Sequence, residues 1–252
     1  MVAGIWPVRV PLYGFCVDWA NGPMAAFDLE TTGTDTETDR IVTASVILVG
    51  KDVETESHEW LVDPGIEIPT VATEVHGVTT ERARAEGGDP AVAVEEITSL
   101  LARYQAEDVP IVAFNARFDL TMLDREARRY DIEPLEERLG GVEGLLVVDP
   151  LVLDKQCHRF RSGKRTLVIL CEAYGIKLEE AHQSHADALA AARLAWKQVQ
   201  AEAELAEYDL PTLHESQVVW AAEQAASLEA YFREKGRDET VEQAWPVVPI
   251  AA

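Results

Sequence analysis

Three strand-like runs follow one another in the first quarter of the chain, and after them strands recur only singly, between helical stretches. This order constrains the fold more than any other feature. Residues 24–29 are a short apolar run of the buried-strand kind, and residues 41–49 are rich in β-branched side chains. The turn signal Gly50-Lys51-Asp52 then leads to a third strand at 58–62 that can pair with the second. Helical spacing covers 79–85 and 91–104, and a strand candidate occupies 109–114. The next helix, 117–130, carries Phe118, Met122, Leu123 and Ala127 at helical spacing. A short strand at 145–148 ends at Asp149-Pro150, and helices follow at 151–157, 166–174 and 184–200. The pattern predicts a mixed α/β architecture rather than a strictly alternating one.

The acidic stretch 201–209 reads as a linker or a helix continuation, and a final helix over 212–234 is stopped by Gly236. Leu213, Gln217, Trp220, Leu228 and Tyr231 lie on one broad face of that helix. Packing against the rest of the chain is the favoured reading of that face, with a partner surface as the alternative. The expected division is an N-terminal extension over 1–20, loosely attached or part of the core, an α/β domain over 21–204, and a C-terminal helical extension over 205–252.

Composition limits the function classes. Apolar residues make up 47% of 252, enough for a sizeable core. The net charge of −23 repels nucleic acid at long range, so any nucleic-acid role has to rest on local features. Cys16, Cys157 and Cys171 form no CxxC pair; a disulfide framework or zinc knuckle is disfavoured, and a reducing cytoplasm fits best. No apolar run approaches the ~20 residues that span a bilayer, so no membrane role is expected. Residues 1–18 lack a basic start and are broken by Pro7 and Pro11, unlike a signal peptide. Lys155, Arg159, Arg161, Lys164 and Arg165, with His158 and Phe160 among them, make a local basic stretch. It reads as a phosphate-tracking loop, in which Arg161 and Arg165 contact substrate, with a solvated loop as the alternative.

The chemistry lies in three acidic elements. Asp28 and Glu30 sit two apart at the end of the first strand and therefore share a face. Like charges so close need a counter-charge, and oxygen ligands suit Mg²⁺ or Mn²⁺; alone, such a pair is also what an exposed acidic turn looks like. Asp119, in Phe114-Asn115-Ala116-Arg117-Phe118-Asp119, falls in the first turn of a helix, where a carboxylate also serves as a cap. Asp187, after His182-Gln183-Ser184-His185-Ala186, opens another helix and has the same two readings.

In order, FDLETTG, FNxxFD and HxxxxD before an Ala-rich helix resemble the three motifs of the DEDDh (DnaQ-like) 3′→5′ exonucleases. That family includes the proofreading epsilon subunits of bacterial replicative polymerases. Asp39-Arg40-Ile41-Val42, Val75-His76-Gly77-Val78-Thr79, Leu170-Cys171 and Gly175-Ile176 match further family segments, and the resemblance covers about residues 24–200. Phe114 stands where the family often has His, and Thr43 where it often has Glu; neither is a metal ligand.

The resemblance implies an RNase H-like fold with a mixed five-stranded sheet flanked by helices. It further implies two-metal hydrolysis of phosphodiester bonds, with two Mg²⁺ or Mn²⁺ per site. By the motif match Asp28, Glu30, Asp119 and Asp187 are the metal-holding residues, Asp119 through water, and His182 is the general base. Thr31 and Glu30 contact the 3′ end, Leu29 and Phe118 the terminal base (or the core), and Asn115 the substrate. The expected partners are a DNA 3′ end, single-stranded by preference, and a DNA polymerase or other replication or repair protein. An RNA exonuclease of the oligoribonuclease or RNase T kind is the rival reading, and a polymerase-bound module without activity a second.

Overall fold

The structure, a computed structural model, describes residues 19–178 and 183–250. After a single turn of 3-10 helix at Trp19–Asn21 come three strands in succession, β1 (Met24–Thr31), β2 (Ile41–Val49) and β3 (Glu56–Leu61). Next are α1 (Thr70–His76), α2 (Thr80–Glu86), α3 (Pro90–Gln105), β4 (Ile111–Val112), α4 (Ala116–Arg129), α5 (Leu135–Arg138) and β5 (Val147–Val148). The chain ends in α6 (Pro150–Cys157), α7 (Leu167–Ala173), α8 (Ser184–Ala201) and α9 (Leu210–Glu234).

The strands form one five-stranded sheet in the order β3-β2-β1-β4-β5. The first three pair antiparallel, and β4 and β5 run parallel to β1. This is the mixed α/β sheet that the order of strands predicts.

Alternation along β1 builds the two layers. Ala25, Phe27 and Leu29 face the main core, with Ile97 and Leu101 of α3 and Leu120 and Leu123 of α4. Ala26 faces the other way, onto Ala188 and Ala192 of α8, with Ile47 of β2 beside it. Asp28 and Glu30 continue the Ala26 series and therefore point to the α8 side. The small side chains of α8 bring the start of that helix close over the end of β1.

β4 and β5 are shorter than their apolar runs suggest. Pro110 has no N–H to give, and the side chain of Gln105 takes over the flanking backbone, accepting from the Leu146 N–H (2.7 Å) and donating to the carbonyls of Val109 (2.7 Å) and Leu146 (3.0 Å). The outer edge of β5 is closed by α9. His214 Nδ1 accepts from the Val147 N–H at 3.1 Å and Gln217 Nε2 donates to the Val147 carbonyl at 2.9 Å.

α9 fulfils the packing expectation over its first half only. Leu213 and Gln217 are buried and Trp220 packs on the core, while Leu228 and Tyr231 lie past the end of the packed surface and are exposed. The stretch before α9 is irregular, with a short 3-10 turn at Leu205–Glu207. Beyond α9 the chain turns back without regular structure, and Trp245 enters the main core. No helix among the described residues is long and apolar enough to cross a membrane.

Candidate active site

One oxygen from each of Asp28, Glu30 and Asp187 lies within 4.8 Å of the other two. Three separate features bring them together. The two-residue period of β1 aligns the first pair, and a bulge between Glu30 and Thr31 ends the regular register there. The start of α8 is tied to β2 by Ser184 Oγ, 2.9 Å from Ser45 Oγ, and Ser45 is the cross-strand partner of Asp28. Asp187 then sits in the first turn of α8.

Asp119 joins from the other layer. It is 4% exposed, and its Oδ1 accepts the Leu29 N–H, midway between Asp28 and Glu30, at 3.0 Å. The four carboxylates disfavour one another's charge. Burial, then Asp119, Glu30 and Asp187, push the Asp28 carboxyl well above the usual range. Burial and Asp187 push Glu30 up to about 7. Burial also raises Asp119, against the hydrogen bonds it accepts from the backbone. A hard divalent cation is the counter-charge that such an oxygen set fits.

The loop after β1 is folded around one side chain. Asp39 accepts from Thr32 Oγ1 (2.7 Å) and from the Asp35 N–H (2.8 Å), and the Thr32 hydroxyl accepts from the Arg40 N–H (3.0 Å). Buried Arg125 of α4 holds Glu37 of the same loop at 2.6 Å. Loop and helix, and with them the ends of two motifs, are thereby coupled.

The other residues singled out by sequence are distributed as follows. Thr31 is buried and donates to the Gly33 carbonyl at 2.6 Å. Leu29 is 5% exposed in the main core, against which Phe118 is partly buried. Asn115 is exposed, in a left-handed conformation, and its side chain makes no capping bond. Arg161 and Arg165 do not join the carboxylate cluster. Both bind the fully buried Asp154, each at 2.9 Å. Their loop reaches the far end of α8, where His158 Nε2 is 3.1 Å from Glu202. Phe160 stands 94% exposed on that loop. His182 lies outside the described residues. His185 turns away from the cluster toward β3, 3.2 Å from Glu59 and 3.3 Å from Ser57.

A cleft of about 390 Å³ opens beside Glu30, with Trp60, His76 and Arg82 in its wall. His76 belongs to a matched segment, but its place beside the site depends on a fold contact that no spacing shows. Its Nδ1 accepts from the Val78 N–H at 3.2 Å, and burial lowers its pKa against a hydrogen bond to the Thr31 backbone. The sequence pattern marks Asp149 only as the end of a strand. It is 2% exposed and underlies the second motif, accepting the N–H groups of Asn115 (2.9 Å) and Ala116 (3.0 Å). An Asp directly before a Pro at a helix start was the available signal.

The exonuclease (RNase T) family model matches residues 25–195, more than half of the chain. The chain belongs to this exonuclease family, in its DEDDh branch. Divalent-metal dependence is a property that the family implies, and the acidic cluster is built for it.

A PolC-type DNA polymerase III of Listeria monocytogenes is 26% identical over 73% of this chain, which covers 12% of that protein. A DNA polymerase III subunit epsilon-like protein of Rhodobacter capsulatus is 37% identical over 40% of this chain and 14% of its own length. Among solved structures, E. coli Exonuclease I in complex with a dA16 oligonucleotide superposes with a TM-score of 0.62 at 22% identity. The match covers 74% of this chain and 42% of that one, and it shows a shared fold. The chain thus spans a small fraction of these polymerase relatives and less than half of Exonuclease I.

Proposed function

We propose that the protein is a 3′→5′ exonuclease that removes 5′-mononucleotides from the 3′ end of DNA, single strands by preference, with Mg²⁺ or Mn²⁺. The carrying observation is the convergence of Asp28, Glu30 and Asp187 within 4.8 Å. Asp28, Glu30 and Asp187 would hold the tighter cation, and Asp28 would also serve a second. Asp119, already engaged by the Leu29 amide, acts through water. Bound there, the cations supply charge neutralisation of the phosphate and activation of the attacking water. His182 would serve as the general base that accepts a proton from the attacking water. Thr31 and Glu30 receive the 3′-terminal nucleotide, with Asn115 and Phe118 beside it.

DNA is favoured over RNA by the replication relatives and by the oligodeoxynucleotide bound to Exonuclease I. A DNA polymerase or another replication or repair protein is the partner class these relatives suggest.

The test uses 5′-labelled single-stranded DNA, duplex DNA and RNA with Mn²⁺ or with EDTA. The expected result is a ladder shortening from the 3′ end, fastest on single-stranded DNA and absent in EDTA. Cutting of a circular strand at the same rate would overturn the exonuclease reading, and a strong preference for RNA would move the enzyme to the RNA-trimming class.

A further inference from the structure

We infer that Asp149, covered by Trp245, is a positioning residue that sets the second-motif loop, and through it Asn115 and Asp119, for the reaction. The inference rests on the exonuclease reading above.

The first amides of any helix have no partner within the helix. At α4 the residue in the capping position is Asn115, which makes no side-chain cap and has φ of 65° and ψ of 45°. That left-handed conformation is uncommon for a residue with a side chain and persists only where its surroundings hold it. Asp149 is what holds it. Its Oδ1 accepts the Asn115 N–H at 2.9 Å and its Oδ2 the Ala116 N–H at 3.0 Å, so one carboxylate from the end of β5 caps a helix 33 residues earlier in the chain.

The same carboxylate is itself held on every side. Oδ1 also accepts the Leu151 N–H at 2.9 Å, which starts α6, and the indole N–H of Trp245 approaches Oδ2 at 3.4 Å. The Asp149 N–H donates to Gln217 Oε1 at 2.8 Å. Trp245 stacks obliquely on His214, with ring centroids 5.2 Å apart. Asp149 is thereby fixed by α6, by α9 and by the segment beyond α9.

Asp119 follows Ala116 within one helical turn and reaches the Leu29 amide. Rotating the first turn of α4 shifts that carboxylate relative to Asp28 and Glu30. It also moves the exposed Asn115 side chain, which makes no capping bond of its own. Asp149 lies outside the Asp28, Glu30 and Asp187 group; it reaches the site through the amides it holds, and its charge adds to the burial that raises the Asp119 carboxyl.

The test is Asp149→Asn in the full chain. An amide of the same shape keeps one acceptor and turns an NH₂ group toward N–H donors it cannot bind. Losing one such bond is expected to shift the local opening equilibrium about tenfold, which is about 1.4 kcal/mol. Hydrogen exchange at the Asn115 and Ala116 amides is expected to accelerate at least about tenfold, with β1 amides unchanged. At saturating Mn²⁺ kcat on single-stranded DNA is expected to fall at least about tenfold, with KM within about threefold. Unchanged exchange at those two amides together with an unchanged kcat would overturn the inference. So would a lower Tm with full kcat below the transition, which is the mark of a merely structural role.

If Asp149→Asn does not fold, Trp245→Phe decides. It keeps the ring on His214 and removes the indole N–H. Faster exchange at Ala116 and a lower kcat are expected, and wild-type values for both would overturn the proposal. A wild-type protein that releases no nucleotide would instead sink the exonuclease reading, and the amide-exchange comparison would still decide on Asp149.

Discussion

In the metal-free protein the charges of Asp28 and Glu30 work against the fold. The Glu30 carboxyl, raised by burial and by Asp187 from its ordinary 4.5 to about 7, is uncharged at low pH and costs nothing there. The penalty grows as pH rises through the interval between the two values and is complete above it. Glu30→Gln is therefore expected to abolish cleavage and, in EDTA at pH 8, to raise Tm above wild type. At pH 4, below both values, the two proteins should melt almost together. Mn²⁺ at pH 8 should raise the wild-type Tm by more than that of Glu30→Gln. A variant less stable than wild type in EDTA at pH 8 would refute this account of the cluster. The two histidines give a second comparison. His185 is engaged by Glu59 and Ser57 on β3, so His185→Ala should stay within a few-fold of wild type. His182→Ala should cut turnover by about 10²-fold or more, the usual scale for losing a general base. Both variants are best measured at saturating Mn²⁺, where metal binding is not limiting. A crippled His185→Ala with an active His182→Ala would reverse the assignment.

The loop that follows β1 shows how closely one element can depend on a missing side chain. A Cβ on Gly33 would lie 2.4 Å from Asp39 Oδ2, inside the carboxylate that gathers Thr32 and Asp35. Gly33→Ala must displace Asp39, and a loss of about 1–3 kcal/mol is expected from urea unfolding, the usual range for overpacking. Unfolding at the wild-type urea midpoint would mean that the loop rearranges freely. Thr32-Gly33 could be read from the sequence as the end of a strand, but not as a close approach to Asp39, because that contact depends on the loop's own fold. The same boundary runs through the whole site. The two-residue spacing of Asp28 and Glu30 on a strand was enough to predict a shared face, and β1 keeps it. The first-turn positions of Asp119 and Asp187 were legible because helix starts leave a strong local pattern. The reach of Asp149 to the second motif and of Arg125 to Glu37, and the place of His76 in the cleft wall, were not, since each depends on elements far away in sequence. β4 and β5 were read too long because apolar runs show burial, while the ladder stops where Pro110 and Gln105 replace backbone pairing.

Across the whole molecule the residues beyond α9 bind the layers together, although nothing periodic marks them in the sequence. Trp245 is 4% exposed in the main core. The Val248 N–H donates to Thr121 Oγ1 at 3.0 Å, and the Glu242 carbonyl accepts from Arg117 Nη1 at 2.6 Å. Both partners are on α4, the helix that carries Asp119, so the segment fastens one wall of the site to α9. Removing residues 237–252 takes away a buried Trp and leaves the Arg117 and Thr121 side chains without these partners. A loss of about 3–5 kcal/mol is expected, on the scale of emptying a buried aromatic site. For a chain of this size that corresponds to a fall in Tm of about 6–20 °C. Removing residues 1–18 makes the contrasting case. It stops short of Trp19 and Ala20, which are buried against Met24 and Ala195 in the second core cluster. We therefore expect that shorter protein to keep exonuclease activity and to melt within a few degrees of the full chain. Thermal unfolding of both truncations, with activity measured well below either transition, separates the two ends. A C-terminal truncation that melts with the full chain and cleaves at the full rate would show that α4 is held by the sheet and α3 alone. Equal damage from the N-terminal deletion would show that the core extends upstream of Trp19.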